Sequence, residues 1–424
     1  MPRRLRAVAA LPLLGAVLSV SASAQTLERV TFEEAVRRAI ASHPEVQRAA
    51  ADIMRADAVL QQVRAGSRPS IDAALATNVI DPVTRFGGSA IFPRTQTATT
   101  ASVAVPLLTP VRWAERNQAA DQVAVSERGL DQMRRLIAVA AGQAYLTVIA
   151  QRRVLELNER ARDNARAHYE YANQRFQGGL GSRLNAVRAE QELSGNDARV
   201  EEARLGVRRA QEALGLLMAA EGPVDAAADQ AFEGPPPAVP DGELIAGRED
   251  VRAILARELA AARRAGDAWK DHLPSVTALF TPEVLAPTGL FANARSWRAS
   301  VLFSVPIVDA GLRRGQARER QALVDVVRAE RAGAERQARS EIRTAREAVA
   351  ATERALGHAR RAAEQANEVL RITDIAFREG ATTNIEVVDA QRGARDAETA
   401  AAMAEDAVRR ARLERLVATG RFPQ

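Results

Sequence analysis

The amino-acid sequence contains the same pattern twice, and this duplication restricts the possible folds more than any other feature. Arg-Phe-Gln-Gly-Gly at 175–179 corresponds to Ala-Phe-Arg-Glu-Gly at 376–380, and in both halves a Ser or Thr follows three positions after the last glycine. Arg-Pro-Ser-Ile at 68–71 corresponds in the same way to Leu-Pro-Ser-Val at 273–276. Similarity at a long, nearly fixed separation indicates that the chain holds two copies of one structural unit.

The chain divides into an export signal, the two copies and a linker. Residues 1–24 combine a basic start, an apolar stretch and the small-residue cleavage site Ala22-Ser23-Ala24, which predict a secretory signal peptide. The copies are predicted at 25–233 and 248–424, with a Pro- and Gly-rich linker at 234–247. The apolar stretch of the signal is too short for a transmembrane anchor, and no later run of about 18 apolar residues predicts a membrane-spanning helix. If the mature protein spans a membrane, its membrane-spanning segments are therefore β-strands.

Each copy is predicted to contain a helix, two strands and a hairpin of very long helices. Thr31 and Glu34 form the pattern of a capping box at the first helix. The first long helix of each hairpin runs from about 111 to 175 and from about 313 to 377, and each reaches about 100 Å at about 1.5 Å per residue. The returning helices carry apolar residues spaced by sevens, which predicts close packing against a partner helix. These seam positions are Ala186, Ala189, Leu193, Val200, Ala203, Val207, Ala210, Leu214 and Leu217 in the first copy, and Val387, Ala390, Ala394, Ala397, Ala401, Ala404, Val408 and Ala411 in the second.

Short segments with alternating apolar residues predict two strands in each copy. The alternation is clear at 297–305 and 275–280, and weaker at 71–75 and 103–107. The segments are about 10 residues long, the length that a membrane β-barrel needs. Because a bilayer tolerates no open sheet edge, four strands per chain would need partners, and three chains would supply 12 strands. The alternative is the edge of an ordinary soluble sheet.

The composition argues against an enzyme or a nucleic-acid-binding protein. The absence of cysteine excludes disulfides, thiolate metal sites and a cysteine nucleophile. His43, His168, His272 and His358 are scattered, without the spacing of a helical metal site. The formal net charge is +6, but three of the arginines belong to the signal peptide. We therefore expect no enzymatic activity, no metal, no cofactor and no nucleic-acid partner.

In the order and doubling of these motifs the chain resembles the TolC-like outer-membrane efflux proteins, the outer membrane factors. The resemblance covers essentially the whole mature chain. It implies a mixed α and β membrane fold: a homotrimer with a 12-stranded β-barrel in the outer membrane, four strands from each chain, continued by a long α-helical barrel through the periplasm. It implies an exit duct of a tripartite efflux pump or type I secretion system, gated passively at the helical tips. The implied partners are a periplasmic adaptor protein and an inner-membrane transporter. Without a cysteine to carry lipid, the chain resembles the non-lipidated branch.

The resemblance also implies a gate at the periplasmic tips. In the family, acidic residues of the second returning helix surround the narrow entrance, and the matching positions are Glu386 and Asp389. A ring of carboxylates in a narrow pore would favour cations. The alternative for Glu386 is a capping box with Thr383, and both roles are compatible. Where the family often closes the entrance with an arginine and a tyrosine, this chain has Thr382 and Phe377, so those particular bonds are not expected here.

Two further groups of residues have roles that the resemblance implies. The turns between the long helices would dock the adaptor, and their residues are Gly178, Gly179, Gly181 and Ser182 in the first copy and Gly380 and Thr383 in the second. We expect these glycines to permit the positive φ of a tight reversal. Trp297, Phe92 and Phe291 are candidates for the membrane interface.

A protein of another class remains an alternative. A periplasmic coiled-coil adaptor or scaffold that lacks a membrane barrel would also contain long helical hairpins. Such an adaptor normally carries one hairpin between flanking β segments, whereas this sequence predicts two hairpins, each preceded by a strand pair.

Overall fold

The structure is a computed structural model that describes residues 27–228, 230, 232 and 239–422. The predicted signal peptide at 1–24 and residues 234–238 of the predicted linker lie outside the described residues. The remainder of that linker includes a short helix, α5, whose bounds are given below. No helix within the described ranges combines the length and apolar character needed to cross a membrane.

The first half consists of two helices, a strand pair and a long helical hairpin. In chain order its elements are β1 (Glu28–Val30), α1 (Phe32–Ser42), α2 (Pro44–Ala65), β2 (Ser70–Val79), β3 (Arg85–Phe86), β4 (Ser89–Ala90), β5 (Thr95–Leu108), α3 (Pro110–Gln177), α4 (Arg183–Leu217) and β6 (Val224–Ala226). The hydroxyl of Thr31 accepts a hydrogen bond from the Glu34 amide at 3.3 Å, so Thr31 caps α1 as predicted.

The second half has the same order of main elements. They are α5 (Asp241–Ala246), α6 (Glu249–Gly266), a 3₁₀ helix (Asp267–His272), β7 (Ser275–Ala286), β8 (Arg295–Ser304), α7 (Leu312–Arg378) and α8 (Asn384–Ala418). The predicted long helices are confirmed, and α3 and α7 contain 68 and 67 residues. At about 1.5 Å per residue, each helix places its two ends about 100 Å apart.

The four predicted strands are confirmed and form one antiparallel sheet in the order β2-β5-β7-β8. β7 pairs with β8 as far as Val284 and with β5 as far as Ala286, after which the loop to β8 begins. The loop between β2 and β5 contains the small β3–β4 hairpin.

The two faces of this sheet differ in polarity. Paired residues share a face, so the register assigns every side chain to one side or the other. One face carries most of the large apolar side chains: Ile71, Leu75, Val79, Val103, Val105, Val276, Phe280, Val284, Trp297, Val301 and Phe303. The other face carries Asp72, Asn78, Gln96, Thr100, Ser102, Ser275, Thr277, Thr281, Glu283, Arg298 and Ser300.

The sheet is open at both edges. β2 pairs only with β5 and β8 pairs only with β7 among the described residues. Each outer edge therefore presents a row of backbone N–H and C=O groups that has no strand partner within the chain. These edges belong to strands of 10 residues each, long enough to accept a further strand.

The returning helices pack along the predicted seams. In α4 the buried seam positions are Ala186, Ala189, Val200, Ala203, Ala210 and Leu214, and in α8 they are Val387, Ala394, Val408 and Ala411. The remaining seam positions, among them Leu193 and Ala401, are half-buried. Because most of these side chains are small, each returning helix lies close to its partner, α4 on α3 and α8 on α7.

A compact core lies about halfway along the long helices and was not predicted. The three-residue strands β1 and β6 pair in parallel, and α1 packs against α3 beside them. The Phe32 ring lies 5.5 Å from Tyr145, 5.1 Å from Phe232 and 6.0 Å from Phe422, as centroid distances. The Tyr145 hydroxyl donates to the Ala228 carbonyl at 2.8 Å. The core therefore joins the first helix, the middle of α3, the segment after β6 and the end of the chain.

Candidate functional site at the helical tips

The two helical hairpins turn at the end remote from the sheet. Gly179 and Gly380 have φ values of +73° and +76°, the left-handed conformation that such a reversal requires. A positive φ was also expected for Gly178, and this prediction was wrong, because its φ is −76°. Gly181 instead lets the turn lie close to the end of α3, since a Cβ there would lie 3.1 Å from the Arg175 Cβ and the Phe176 nitrogen.

The other predicted docking residues begin the returning helices. The Ser182 hydroxyl accepts a hydrogen bond from the Asn185 amide at 3.3 Å and so caps α4. Thr383 occupies the same position before α8. Ser182 and Thr383 are exposed, as are the glycines apart from Gly181, which is half-buried. The structure thus gathers all six predicted docking residues into two exposed turns.

The predicted gate carboxylates lie on the first two turns of α8, where both are exposed. Glu386 forms the predicted capping box with Thr383, whose backbone N–H lies 3.5 Å from Glu386 Oε2. Negative charge at this position also favours the positive end of the helix dipole. Asp389 follows three residues later on the same helix.

The other two predicted gate residues are less exposed than the carboxylates. Thr382 is half-buried, and Phe377 is buried at the end of α7. The Phe377 ring lies 5.4 Å from the His168 ring and 5.9 Å from the Tyr171 ring, both on α3 of the other hairpin. Phe377 therefore packs the two hairpins of the chain together.

A buried histidine links the same two hairpins. His168 Nε2 lies 2.7 Å from Asn384 Oδ1, and Asn384 Nδ2 donates to the Asn185 carbonyl at 3.4 Å. We call His168, Asn384, Asn185 and Phe377 the histidine joint. Burial lowers the pKa of His168, while the hydrogen bond to Asn384 and the charge of Asp374 on α7 oppose that shift. Asp374 is itself paired with Arg378 at 2.6 Å. At neutral pH His168 is therefore uncharged.

A second link lies two to three helical turns further from the tips. Glu192 on α4 is buried and accepts hydrogen bonds from Arg392 Nε at 2.7 Å and Arg395 Nη1 at 3.4 Å. Arg395 also donates to Asn196 Oδ1 at 3.2 Å. The hydrogen bond to Glu192 raises the pKa of Arg392. We call Glu192, Asn196, Arg392 and Arg395 the Glu192 cluster.

Neither link between the hairpins is predicted by the sequence pattern. The partners lie about 200 positions apart, so no local pattern connects them. The available signal was the presence of polar residues next to an otherwise small and apolar seam, at Glu192 and Asn196 in α4. A charged residue so close to a helix seam requires a partner across the interface.

The candidates for the membrane interface lie in two places. Trp297 is on the apolar face of the sheet, exposed, with its ring centroid 6.0 Å from that of Phe280. Phe291 and Phe92 are in the two loops between strands, and Phe291 lies 6.4 Å from Phe86. The loops also touch through a hydrogen bond from the Leu290 amide to the Ile91 carbonyl at 3.2 Å.

Within the described ranges, no group of three or more His, Asp or Glu residues could hold a metal ion.

The family described as "Outer membrane efflux protein" matches residues 35–220 and 242–420. These two segments cover most of the chain and fall one in each half. Each contains one strand pair and one long helical hairpin. A comparison with curated proteins finds no match.

Several solved structures share the fold. A membrane protein from Pseudomonas aeruginosa has a TM-score of 0.81 at 20% identity, with 93% of this chain and 91% of that chain covered. The outer membrane protein VceC from Vibrio cholerae has a TM-score of 0.77 at 18% identity, with 92% and 96% covered. The CmeC outer membrane channel of Campylobacter jejuni has a TM-score of 0.80 at 15% identity, with 99% and 94% covered. At these identities the likeness concerns the fold alone.

We predict that Glu192→Ala destabilises the protein, because it removes the buried carboxylate that accepts hydrogen bonds from Arg392 and Arg395 and leaves Arg395 with Asp396 as its carboxylate partner. Losing a hydrogen bond to a charged group costs about 1.5 to 3 kcal/mol. The free energy of unfolding, measured by guanidinium denaturation in detergent, should fall by about that amount. The matched control is Glu201→Ala on the same helix, where an exposed pair with Arg204 is worth less than about 1 kcal/mol. Equal losses for the two variants would contradict a structural role for the Glu192 cluster.

We predict that acidification loosens the histidine joint. A released His168 has an ordinary pKa of about 6.5, whereas the buried ring has a lower one, so the joint is fully stable above about pH 6.5 and weakens as the pH falls below it. Hydrogen exchange at 383–392, corrected for intrinsic rates, should show less protection at pH 5.5 than at pH 7, by up to about ten-fold per pH unit.

His168→Gln keeps a side chain that can bond to Asn384 but cannot titrate, so this variant should lose the pH dependence. His358→Gln is the control, because His358 is exposed on α7. The same pH dependence in wild type and His168→Gln would refute this role of His168.

Proposed function

Because the chain belongs to the outer membrane efflux protein family, we propose that it is one subunit of a homotrimeric exit duct. The family indicates an outer-membrane location. The duct would serve a tripartite efflux pump or a type I secretion system and would conduct its cargo passively, without catalysis. The observation that carries the proposal is a four-stranded sheet with one apolar face and two open edges, joined directly to helices about 100 Å long.

The open edges support a closed barrel built from three chains. In a bilayer every backbone polar group needs a hydrogen-bond partner, so a four-stranded sheet cannot lie there alone. Pairing of β8 of one chain with β2 of the next closes the edges, and three chains give 12 strands. The apolar face with Trp297 would then contact lipid, and the face with Asp72, Glu283 and Arg298 would line an aqueous lumen.

The long helices support a second barrel that continues from the first. α3 begins immediately after β5, and α7 begins eight residues after β8. If the sheet lies in the outer membrane, the helices carry the tips about 100 Å into the periplasm. This placement supports the turns at Gly179 and Gly380 as the docking sites of a periplasmic adaptor. The adaptor would connect the duct to an inner-membrane transporter.

We assign the gate to the tips, with Glu386 and Asp389 as acids that face the entrance. Both are exposed, and three chains would bring six carboxylates together. Glu386 keeps its capping role in this arrangement. Phe377 and Thr382 would shape the entrance through packing, since Phe377 is buried between the hairpins. The alternative, an adaptor or scaffold without a barrel, is not supported by a sheet whose apolar face is exposed in the chain.

The proposed assembly predicts a trimer in the outer-membrane fraction. After detergent extraction, the particle mass should equal three chains, and electron micrographs should show a cylinder at least about 100 Å long. A water-soluble monomer recovered from the periplasm would refute the duct. A trimer that lacks a detergent-binding belt would instead favour the scaffold.

The gate assignment predicts a change in ion selectivity. Glu386→Gln together with Asp389→Asn should lower the preference for cations in planar bilayers, measured as a smaller reversal potential across a salt gradient. Glutamine retains the capping geometry, so the helix start is preserved. Glu201→Gln serves as a control at an exposed acid on α4. Unchanged selectivity in the double variant would refute the gate assignment and leave both acids with a role only at the start of α8.

A further inference from the structure

The starts of the two longest helices, α3 and α7, differ in charge. Each helix follows the last strand of its copy, and Pro106 and Pro306 occupy equivalent positions before them. Three residues after Pro306 comes Asp309, whereas three residues after Pro106 comes the uncharged Thr109. The second copy therefore begins its long helix beside a carboxylate, and the first copy does not.

The carboxylate of Asp309 satisfies backbone amides at the start of α7. Asp309 Oδ1 accepts a hydrogen bond from the Gly311 amide at 3.1 Å, and Oδ2 accepts one from the Arg313 amide at 3.2 Å. The bond from the Arg313 amide is the main cause that lowers the pKa of Asp309 below its ordinary value. This helix start thus holds a negative charge, as free amides at the positive end of a helix dipole favour.

The start of α3 lacks such an acceptor. Pro110 has no N–H group, and the amides of Val111 and Arg112 have no hydrogen-bond acceptor among the described residues. Thr109 is only 7% exposed, and its hydroxyl has no hydrogen-bond partner in the same part of the chain. A buried hydroxyl without a partner costs about 1 to 3 kcal/mol. Two amides and one hydroxyl at this helix start therefore need an acceptor.

These residues lie beside a cavity where the sheet meets the helices. Thr109, Val111 and Arg112 are among the residues that line this cavity, whose volume is about 760 Å³. The Arg112 guanidinium donates to the Gly66 carbonyl and forms no ion pair within the described ranges. Arg313 lines the same cavity, and its guanidinium lies 3.3 Å from the Asp309 carboxylate. Arg112 thus supplies a positive charge that no carboxylate of the described chain neutralises by contact.

Two acids also line the cavity, but neither accepts a hydrogen bond from the free donors of α3. The Asp271 carboxylate is paired with Arg320 at 2.8 Å. Glu115 is exposed and follows Val111 by one helical turn. Its charge would weaken the attraction of an anion to the start of α3, which provides a test below.

We propose that this cavity binds a dissolved oxyanion, a phosphate or a carboxylate group, at the start of α3. The anion takes the role that the Asp309 carboxylate has at the start of α7. It accepts hydrogen bonds from the amides of Val111 and Arg112 and from the Thr109 hydroxyl, and it pairs with the Arg112 guanidinium. Charge-assisted bonds from a guanidinium and from helix-start amides are typical of phosphate and carboxylate recognition.

The position of the cavity favours an anion in the lumen over a lipid headgroup. Ser275 and Ser304 also line the cavity, and their pairing places both on the polar face of the sheet. In the proposed barrel that face lines the lumen, so the site would hold an anionic group of the cargo as it passes. Only this placement rests on the proposed function, because the site itself is built from one chain. The gate acids lie about 100 Å away along the helices, many Debye lengths from the site.

The site is tested with inorganic phosphate and the detergent-extracted protein, with binding measured from the line width of the phosphorus NMR signal. Thr109→Asp supplies the missing carboxylate, so it should weaken phosphate binding at least about ten-fold and leave the protein folded. Arg112→Gln should weaken binding about five-fold, because it removes the charged donor. Equal binding by wild type and a folded Thr109→Asp variant would overturn the site.

Two further variants separate the site from general charge effects. Glu115→Gln should strengthen phosphate binding about two-fold, because it removes a negative charge near the anion. Arg116→Gln is the matched control for Arg112→Gln, since Arg116 is exposed on the same helix and is not among the residues that line the cavity. Equal losses for Arg112→Gln and Arg116→Gln would show attraction by overall charge only and would refute the site.

The source of the anion and the proposed duct are tested on the same samples. A titration with short-chain phosphatidylglycerol, followed through the phosphorus signal of the lipid, tests a headgroup as the ligand. Binding of this lipid without binding of phosphate would overturn the assignment to a dissolved anion. Native mass then separates the two proposals: a monomer that binds phosphate would refute the trimer and support the site, whereas a trimer that binds no phosphate would refute the site alone.

Discussion

Close packing of small side chains along the two helical seams is the constraint on which the rest of the structure depends. The sheet and the tips lie about 100 Å apart, and only the paired helices connect them. Ala189 and Ala203 in α4, and Ala394 and Ala411 in α8, are buried in these seams. A larger residue there would separate the helices along several turns, because neighbouring seam positions share one interface. The position of the helical tips relative to the sheet therefore depends on these alanines.

The elements that could be predicted are those whose residue pattern repeats along the chain. The seven-residue spacing predicted the packed seams of α4 and α8. The predicted bounds of the first long helix, about 111 to 175, lie within two residues of those of α3, Pro110–Gln177. Alternation predicted the four strands, and the register then confirmed which residues share a face. β1 and β6 escaped prediction, because three residues are too few to show a period. The aromatic core escaped for another reason: Phe32 and Phe232 meet only in the folded chain.

The candidate site was predictable in its local parts and unpredictable where two hairpins meet. The capping box of Glu386 and the left-handed Gly380 depend on neighbours in sequence, and both were foreseen. Phe377 was singled out through a resemblance, but its burial against α3 follows from contacts about 200 positions away. The same separation hid the Glu192 cluster. Such contacts depend on the crossing of two long helices, which a single sequence does not specify.

The aromatic core also has a consequence for the order of folding. Phe32 follows the first strand, and Phe422 is the last residue that the structure describes. These two residues lie 390 positions apart, so Phe32 lacks this partner until residue 422 has been synthesised. During that interval the open strand edges and the bare helix seams are free to make wrong contacts. Because closing so long a loop is costly, the aromatic core forms only when the elements between Phe32 and Phe422 have packed.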